Sequence, residues 1–174
     1  GSYKYLIDAV KKRELNLAFL GPLPPKDDEI NTTLLFSESI HALLPSSHPL
    51  AKQESINLSD LRNEKFVSFP EGYVLHKVAL DACKSVGFTP NITSEGEDMD
   101  ALKGLVAAGI GVTLLPDSSL YDSTPRMTVK MPIANPPIRR TVGIISPVGR
   151  ELASSEIVFL DFVKNFYSRI NKFL

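Results

Sequence analysis

Residues 99–116 read MDALKGLVAAGIGVTLLP and carry, in that order, the patterns of a helix, a stop and a strand. Apolar residues recur at helical spacing and a glycine follows where a helix would end: Met99, Leu102, Leu105, Val106 and Gly109. The β-rich run 110–115 then stops at Pro116, which cannot donate to a strand ladder. A helix that feeds directly into a buried strand is typical of α/β folds.

The same alternation extends in both directions from this stretch. Helices are predicted over 3–13, 73–86 and from Ser154 onward, and a short helical turn over 59–62. Strands are predicted over 15–20, 34–45, 65–69, 88–94, 110–115, 127–133 and 139–146. Because parallel neighbours need helical crossovers, this order predicts a mainly parallel sheet with helices on both faces.

Composition excludes several classes of function. The 174 residues are 43% apolar and 22% charged, as expected for one compact unit or two small lobes. A formal charge of -1 leaves no electrostatic excess for a phosphate backbone, so this chain alone is not expected to bind nucleic acid. We see no membrane span and no signal peptide. The single cysteine, Cys83, excludes an internal disulfide and fits a reducing cytoplasm.

The sequence offers no convincing catalytic, metal or cofactor motif. Gly109 and Gly111 follow a helix and precede a strand, the reverse of a dinucleotide-binding turn. The three histidines lack cysteine or carboxylate partners at ligand spacing, and residues 68–72 lack the central serine of a nucleophile elbow. Cys83 lies among apolar neighbours in a predicted helix and is interpreted as packing. We therefore expect no enzyme, no metal and no cofactor.

Two loops attract attention by their position, since residues 69–73 and 94–97 both follow a predicted strand and lead into a helix. Ligands bind beyond the carboxyl ends of strands in open α/β sheets, so both loops could line one small-molecule site. Two ordinary strand-to-helix turns are the alternative.

Ser94 and Glu97 match a capping box, and we interpret Glu97, Asp98 and Asp100 as compensating the helix dipole rather than as catalytic groups.

Three segments together carry a family resemblance: KKRELNLA at 11–18, LPSSHPLA at 44–51 and GLVAAGIGVTLLP at 104–116. In this order and spacing they resemble the effector-binding domain of LysR-type transcriptional regulators, over essentially the whole chain. The resemblance implies an α/β fold of two Rossmann-like lobes, with type 2 periplasmic-binding-protein architecture and an effector cleft between the lobes. Lobe one would comprise residues 1–38 and 146–174, and lobe two residues 39–145.

The resemblance also implies that parts of the family's pattern are missing here. The N-terminal DNA-binding domain is not in this sequence, and the first lobe is expected to lack its initial strand and helix. That loss would leave apolar faces of Leu17, Phe19 and the C-terminal helix without partners. Uncovering several hundred Å² would cost on the order of 10 kcal/mol.

Carried over position by position, the family's effector site implies eight residues: Ser2, Gly21, Pro70, Glu71, Gly72, Ser94, Glu95 and Gly96. Ser2 would offer a hydroxyl, and Gly72 would let a backbone N–H approach a carboxylate. Glu95 would repel an anionic effector unless an ammonium group meets it, so it either binds an amino acid or faces away.

The function implied is that of a cytoplasmic, non-catalytic sensor domain in a homo-oligomeric regulator, in which an effector shifts the angle between the lobes. DNA would be contacted only through the absent N-terminal domain. Residues 1–4, 69–72 and 124–126 further resemble family members that control glutamate synthase, which implies 2-oxoglutarate or glutamate as effector. A transport-type binding protein is the alternative, and an enzyme on the same fold is a third possibility.

Overall fold

The structure, a computed structural model, describes residues 3–121 and 124–170. Its helices are α1 (Tyr3–Lys11), α2 (Val74–Ser85), α3 (Met99–Ala107) and α4 (Ser154–Ile170). Its strands are β1 (Ala18–Leu20), β2 (Ile30–Pro45), β3 (Ile56–Asn57), β4 (Lys65–Ser68), β5 (Asn91–Glu95), β6 (Thr113–Pro116), β7 (Thr128–Met131), β8 (Ile133–Asn135) and β9 (Ile138–Pro147). Short 3-10 turns cover Pro49–Lys52, Leu58–Leu61 and Asp117–Ser119.

The chain divides into two compact units, and the long strands β2 and β9 each run through both. Unit 1 comprises residues 1–37 and 140–174, and unit 2 comprises residues 38–139. Each unit has apolar clusters of its own: one in unit 1 is built around Val10, Leu20 and Ile145, and one in unit 2 around Leu43, Leu102 and Leu115. The lobe boundaries at 38/39 and 145/146 remain a prediction from the family resemblance.

The strands pair in parallel around β4 and antiparallel in the sheet that contains β2 and β9. β4 pairs in parallel with β5, and Phe66 of β4 forms a parallel bridge to Val112, with α2 and α3 as the connections. By contrast β1 is antiparallel to β9, and β2 is antiparallel to β6 and β7. The prediction of a mainly parallel sheet is therefore wrong for the five-stranded sheet formed by β1, β9, β2, β6 and β7. Helices α2 and α3 lead into and out of β5, which is not part of that sheet, so they do not connect two of its strands as parallel crossovers.

Two local predictions are corrected by the structure, and one strand is found that was not predicted. The first residue of α3 is Met99, and Asp98 is its N-cap, with Oδ1 accepting from the N–H of Ala101 at 2.7 Å. The expected capping box of Ser94 and Glu97 is wrong, since that box would start the helix too early. The turn predicted over 59–62 begins at Leu58 with Asn57 as its cap. Strand β8 was not predicted, because its few residues border a proline pair.

Helix α4 of unit 1 buries one apolar stripe and exposes another. Leu160 and Val163 are buried against β2 and β9 residues, including Leu35 and Ile144. The exposed set consists of Ile157, Val158, Phe159, Phe162 and Phe166. Phe19 of β1 is also 44% exposed and meets Phe159 edge to face. Phe19 and α4 thus expose apolar surface as expected, whereas Leu17 is partly buried in the same cluster as Leu160.

Candidate functional site

The two loops singled out in the sequence leave the same end of a pair of parallel strands in unit 2. Val67 and Ser68 at the end of β4 are in register with Ser94 and Glu95 at the end of β5. The backbone N–H of Gly96 donates to the carbonyl oxygen of Ser68 at 3.0 Å. The strand ends therefore bring residues 70–72 and 94–96 to one edge, where ligands of α/β folds bind.

The first loop is a tight turn. The N–H of Tyr73 donates to the carbonyl oxygen of Pro70 at 3.2 Å, and Gly72 has a φ of +93°. A positive φ is what the third residue of a type II turn requires, and glycine adopts it without steric cost. The Tyr73 ring stacks on the Phe69 ring with centroids 5.5 Å apart. Glu71 and Gly72 are exposed, so both are accessible to a ligand.

The second loop combines an exposed and a buried position. Glu95 is exposed, whereas Gly96 is buried against the first turn of α3. A Cβ added at Gly96 would lie 3.1 Å from Cβ of Ala101 and 3.2 Å from Cδ2 of Leu102. Gly96 is thus closely packed, and its N–H is already bonded to Ser68. Ser94, within β5, is half-buried.

The remaining predicted residues belong to unit 1. Gly21 directly follows β1 and is half-buried, and a Cβ there would lie 3.1 Å from Cγ2 of Val142. Just beyond it, the N–H of Leu23 donates to Oγ1 of Thr141 at 3.1 Å, which holds the loop after β1 against β9. Ser2 lies outside the described residues.

One side chain near the loops was missed by sequence reasoning. His76, the third residue of α2, has Nδ1 2.7 Å from the carbonyl oxygen of Phe69 and 3.4 Å from Oγ of Ser68. The sequence shows no cysteine or carboxylate partner at ligand spacing from His76, so it assigns this histidine no role. No local pattern marks His76, because its partners are backbone and hydroxyl groups seven and eight residues away.

Two side chains outside the loops, Cys83 and His41, have pKa values shifted by burial. Burial raises the pKa of the Cys83 thiol to about 12, so this cysteine is a poor nucleophile at neutral pH. Burial also lowers the pKa of His41, although Asp117 nearby opposes that shift. Within residues 3–121 and 124–170, no cluster of His, Cys, Asp and Glu is suited to hold a metal ion. None of the helices in these ranges is long and apolar enough to cross a membrane.

Comparison with known proteins identifies the family to which the chain is similar. Residues 1–168 match the family described as "LysR substrate binding domain". The chain is 54% identical over 173 residues to the transcriptional dual regulator GltC of Bacillus subtilis, covering 99% of this chain and 58% of GltC. It spans about half the length of the curated relatives it matches.

Solved structures agree on the fold. The effector-binding domain of BenM with its effector benzoate matches with a TM-score of 0.85 at 23% identity, covering 98% of this chain and 78% of that one. The effector-binding domain of QuiR in complex with shikimate matches with a TM-score of 0.82 at 23% identity, covering 97% and 79%. These likenesses confirm the predicted α/β fold class with periplasmic-binding-protein-like architecture.

Proposed function

Because the chain belongs to the LysR substrate-binding-domain family and is the effector-binding domain of a LysR-type regulator, we propose that it senses a small carboxylate of glutamate metabolism. The likeness to GltC supports this choice, since more than half of the residues are identical over nearly the whole chain. 2-Oxoglutarate and glutamate are the two candidate effectors. A transport-type binding protein is not favoured by the family match.

The observation that carries the proposal is the shared edge formed by the two loops of unit 2. The turn at residues 70–72 presents exposed backbone beside an α2 N-terminus, where N–H groups favour negative charge. The exposed Glu95 at the end of the neighbouring strand offers an opposite charge for an ammonium group. We include Gly21 and Ser2 of the first unit in the proposed site on the family resemblance alone.

In the full-length regulator we propose a non-catalytic, cytoplasmic homo-oligomer that contacts DNA through a separate N-terminal domain. The two units would correspond to the two lobes of the family. Effector binding would shift the equilibrium between arrangements of the lobes, provided that the effector binds one arrangement more tightly than the other. No metal or cofactor takes part in this mechanism.

The proposal is tested by replacing Gly72 with valine and titrating 2-oxoglutarate and glutamate into the full-length protein by calorimetry. A β-branched side chain blocks backbone approach and does not tolerate the φ of +93°. We expect affinity to fall at least about tenfold, equivalent to roughly 1.4 kcal/mol.

Gly87→Val is the matched control, because Gly87 has a φ of +82° and open space around it but lies at the far end of α2. It should lose a similar amount of stability and retain the wild-type affinity. Equal losses of affinity in both variants, or wild-type protein that binds neither compound, would count against the proposed function.

A further inference from the structure

The imidazole of His76 joins the beginning of a helix to the end of a strand across the turn at 70–72. His76 is in the first turn of α2, yet its ring reaches back to Ser68 and Phe69 at the end of β4. A carbonyl oxygen can only accept a hydrogen bond. The 2.7 Å contact with Phe69 therefore places a proton on Nδ1, which donates to that carbonyl.

The two residues that His76 contacts are the point where both loops attach. The carbonyl group of Ser68 accepts from Gly96 of the second loop, and the peptide after Phe69 leads directly into Pro70. Ser68 and Phe69 are 8% and 7% exposed, so this point is well fixed in the protein interior. The bond from His76 therefore orients the peptide from which the exposed turn departs.

The turn itself is held by few groups. Its own backbone bond runs from Tyr73 to Pro70 at 3.2 Å, and Tyr73 stacks on Phe69. An exposed turn of this kind opens at low free energy, so one additional bond at its base changes the fraction of molecules in which it is ordered. The apparent dissociation constant of a ligand rises as that fraction falls.

We propose that His76 is a positioning residue, which holds the Pro70–Gly72 turn in the conformation that binds the effector and thereby sets effector affinity. This inference rests on the proposed function for its ligand. The hydrogen bond from His76 to the carbonyl group of Phe69, which we call the clamp, is a property of the free protein. His76 does not touch the effector in this scheme. It acts through the carbonyl group of Phe69.

Two substitutions of His76 distinguish the effect of its hydrogen bond to Phe69 from the effect of simply filling the space of the side chain. Asparagine carries an amide nitrogen on Cγ, in the place of Nδ1, whereas the amide nitrogen of glutamine lies one atom farther, in the place of Nε2. His76→Gln should weaken binding of 2-oxoglutarate or glutamate to the full-length regulator about three- to tenfold. His76→Asn should restore most of that loss. A purely structural residue would instead give parallel losses of thermal stability with no difference in affinity between the variants, and that result would overturn the proposal.

Hydrogen exchange in the ligand-free protein decides the matter independently of effector identity. Amides of residues 71–73 should exchange faster in His76→Gln than in the wild type, and near the wild-type rate in His76→Asn. If the wild type binds neither compound, the proposed effectors are wrong, and the exchange rates still test the clamp. Unchanged exchange in His76→Gln overturns the inference, as does faster exchange without any change in the affinity of a ligand that does bind.

Discussion

Glu95 is the residue at which the two candidate effectors should behave differently. Glutamate carries an ammonium group and 2-oxoglutarate does not, so a carboxylate in the site attracts the first and repels the second. Glu95→Gln should weaken glutamate binding about tenfold at low ionic strength and leave 2-oxoglutarate binding unchanged or stronger. The measurement is calorimetric titration of both compounds into the full-length protein at one salt concentration.

Glu97→Gln provides the control for Glu95, because it removes the same charge from an exposed position two residues farther along. A change in affinity common to both variants would result only from the change in net charge. If Glu95→Gln alters both ligands in parallel, Glu95 faces away from the effector and selectivity lies elsewhere.

Single residues could be predicted from the sequence where their role follows from their own chemistry. Gly72 after a strand-ending proline predicts a turn, and the structure gives it the positive φ that only glycine adopts readily. The contacts of His76 and the close packing of Gly96 could not be predicted from the sequence, since both depend on partners that the fold brings near. Leu105 shares the helical spacing of Leu102 and Val106 and packs against the same cluster, but it is only partly buried, whereas the other two are fully buried.

At the scale of elements, the junction between α3 and the strand after it depends on Gly111. A Cβ at Gly111 would lie 2.5 Å from the carbonyl oxygen of Lys65 in β4. The backbones approach this closely because Val112 exchanges hydrogen bonds with Lys65 and Val67. Gly111→Ala should therefore lower the free energy of unfolding by about 1–3 kcal/mol, measured by urea denaturation.

Gly104→Ala is the matched substitution, because Gly104 lies exposed inside α3 and an added Cβ would have nothing within 4 Å. Alanine is the better helix former, so this variant should gain about 0.5–1 kcal/mol. Equal effects of the two substitutions would contradict the close approach at Gly111.

Local sequence determined the elements better than their pairing. Both ends of α2 lie within a residue of the prediction, since apolar spacing and a glycine stop are local signals. The antiparallel pairing of β2 with β6 and β7 could not be predicted in this way. It joins residues that are far apart in the chain, and the helices α2 and α3 that lie between them connect other pairs of strands.

For the whole molecule, the core clusters predict which part folds alone. Both apolar clusters of unit 2 are formed entirely by residues between 38 and 139. A fragment of residues 38–139 should therefore give a cooperative thermal transition by circular dichroism. A fragment ending at residue 110 should not, because it lacks β6 with the buried Leu114 and Leu115. A 38–139 fragment that remains unfolded would show that its core needs the other unit.

The discontinuity of unit 1 has a consequence for how the protein emerges from the ribosome. Val10, Ala18 and Leu20 are synthesised early, but Ile145, which completes their cluster, follows only after the whole of unit 2. At ~5–20 residues per second, the nascent apolar segment waits on the order of ten seconds for its partner. Unit 2 is an uninterrupted stretch and can fold during that interval. The first segment of unit 1 is thus made before unit 2 but completes its native contacts after unit 2, so its apolar side chains stay exposed while the middle of the chain is synthesised.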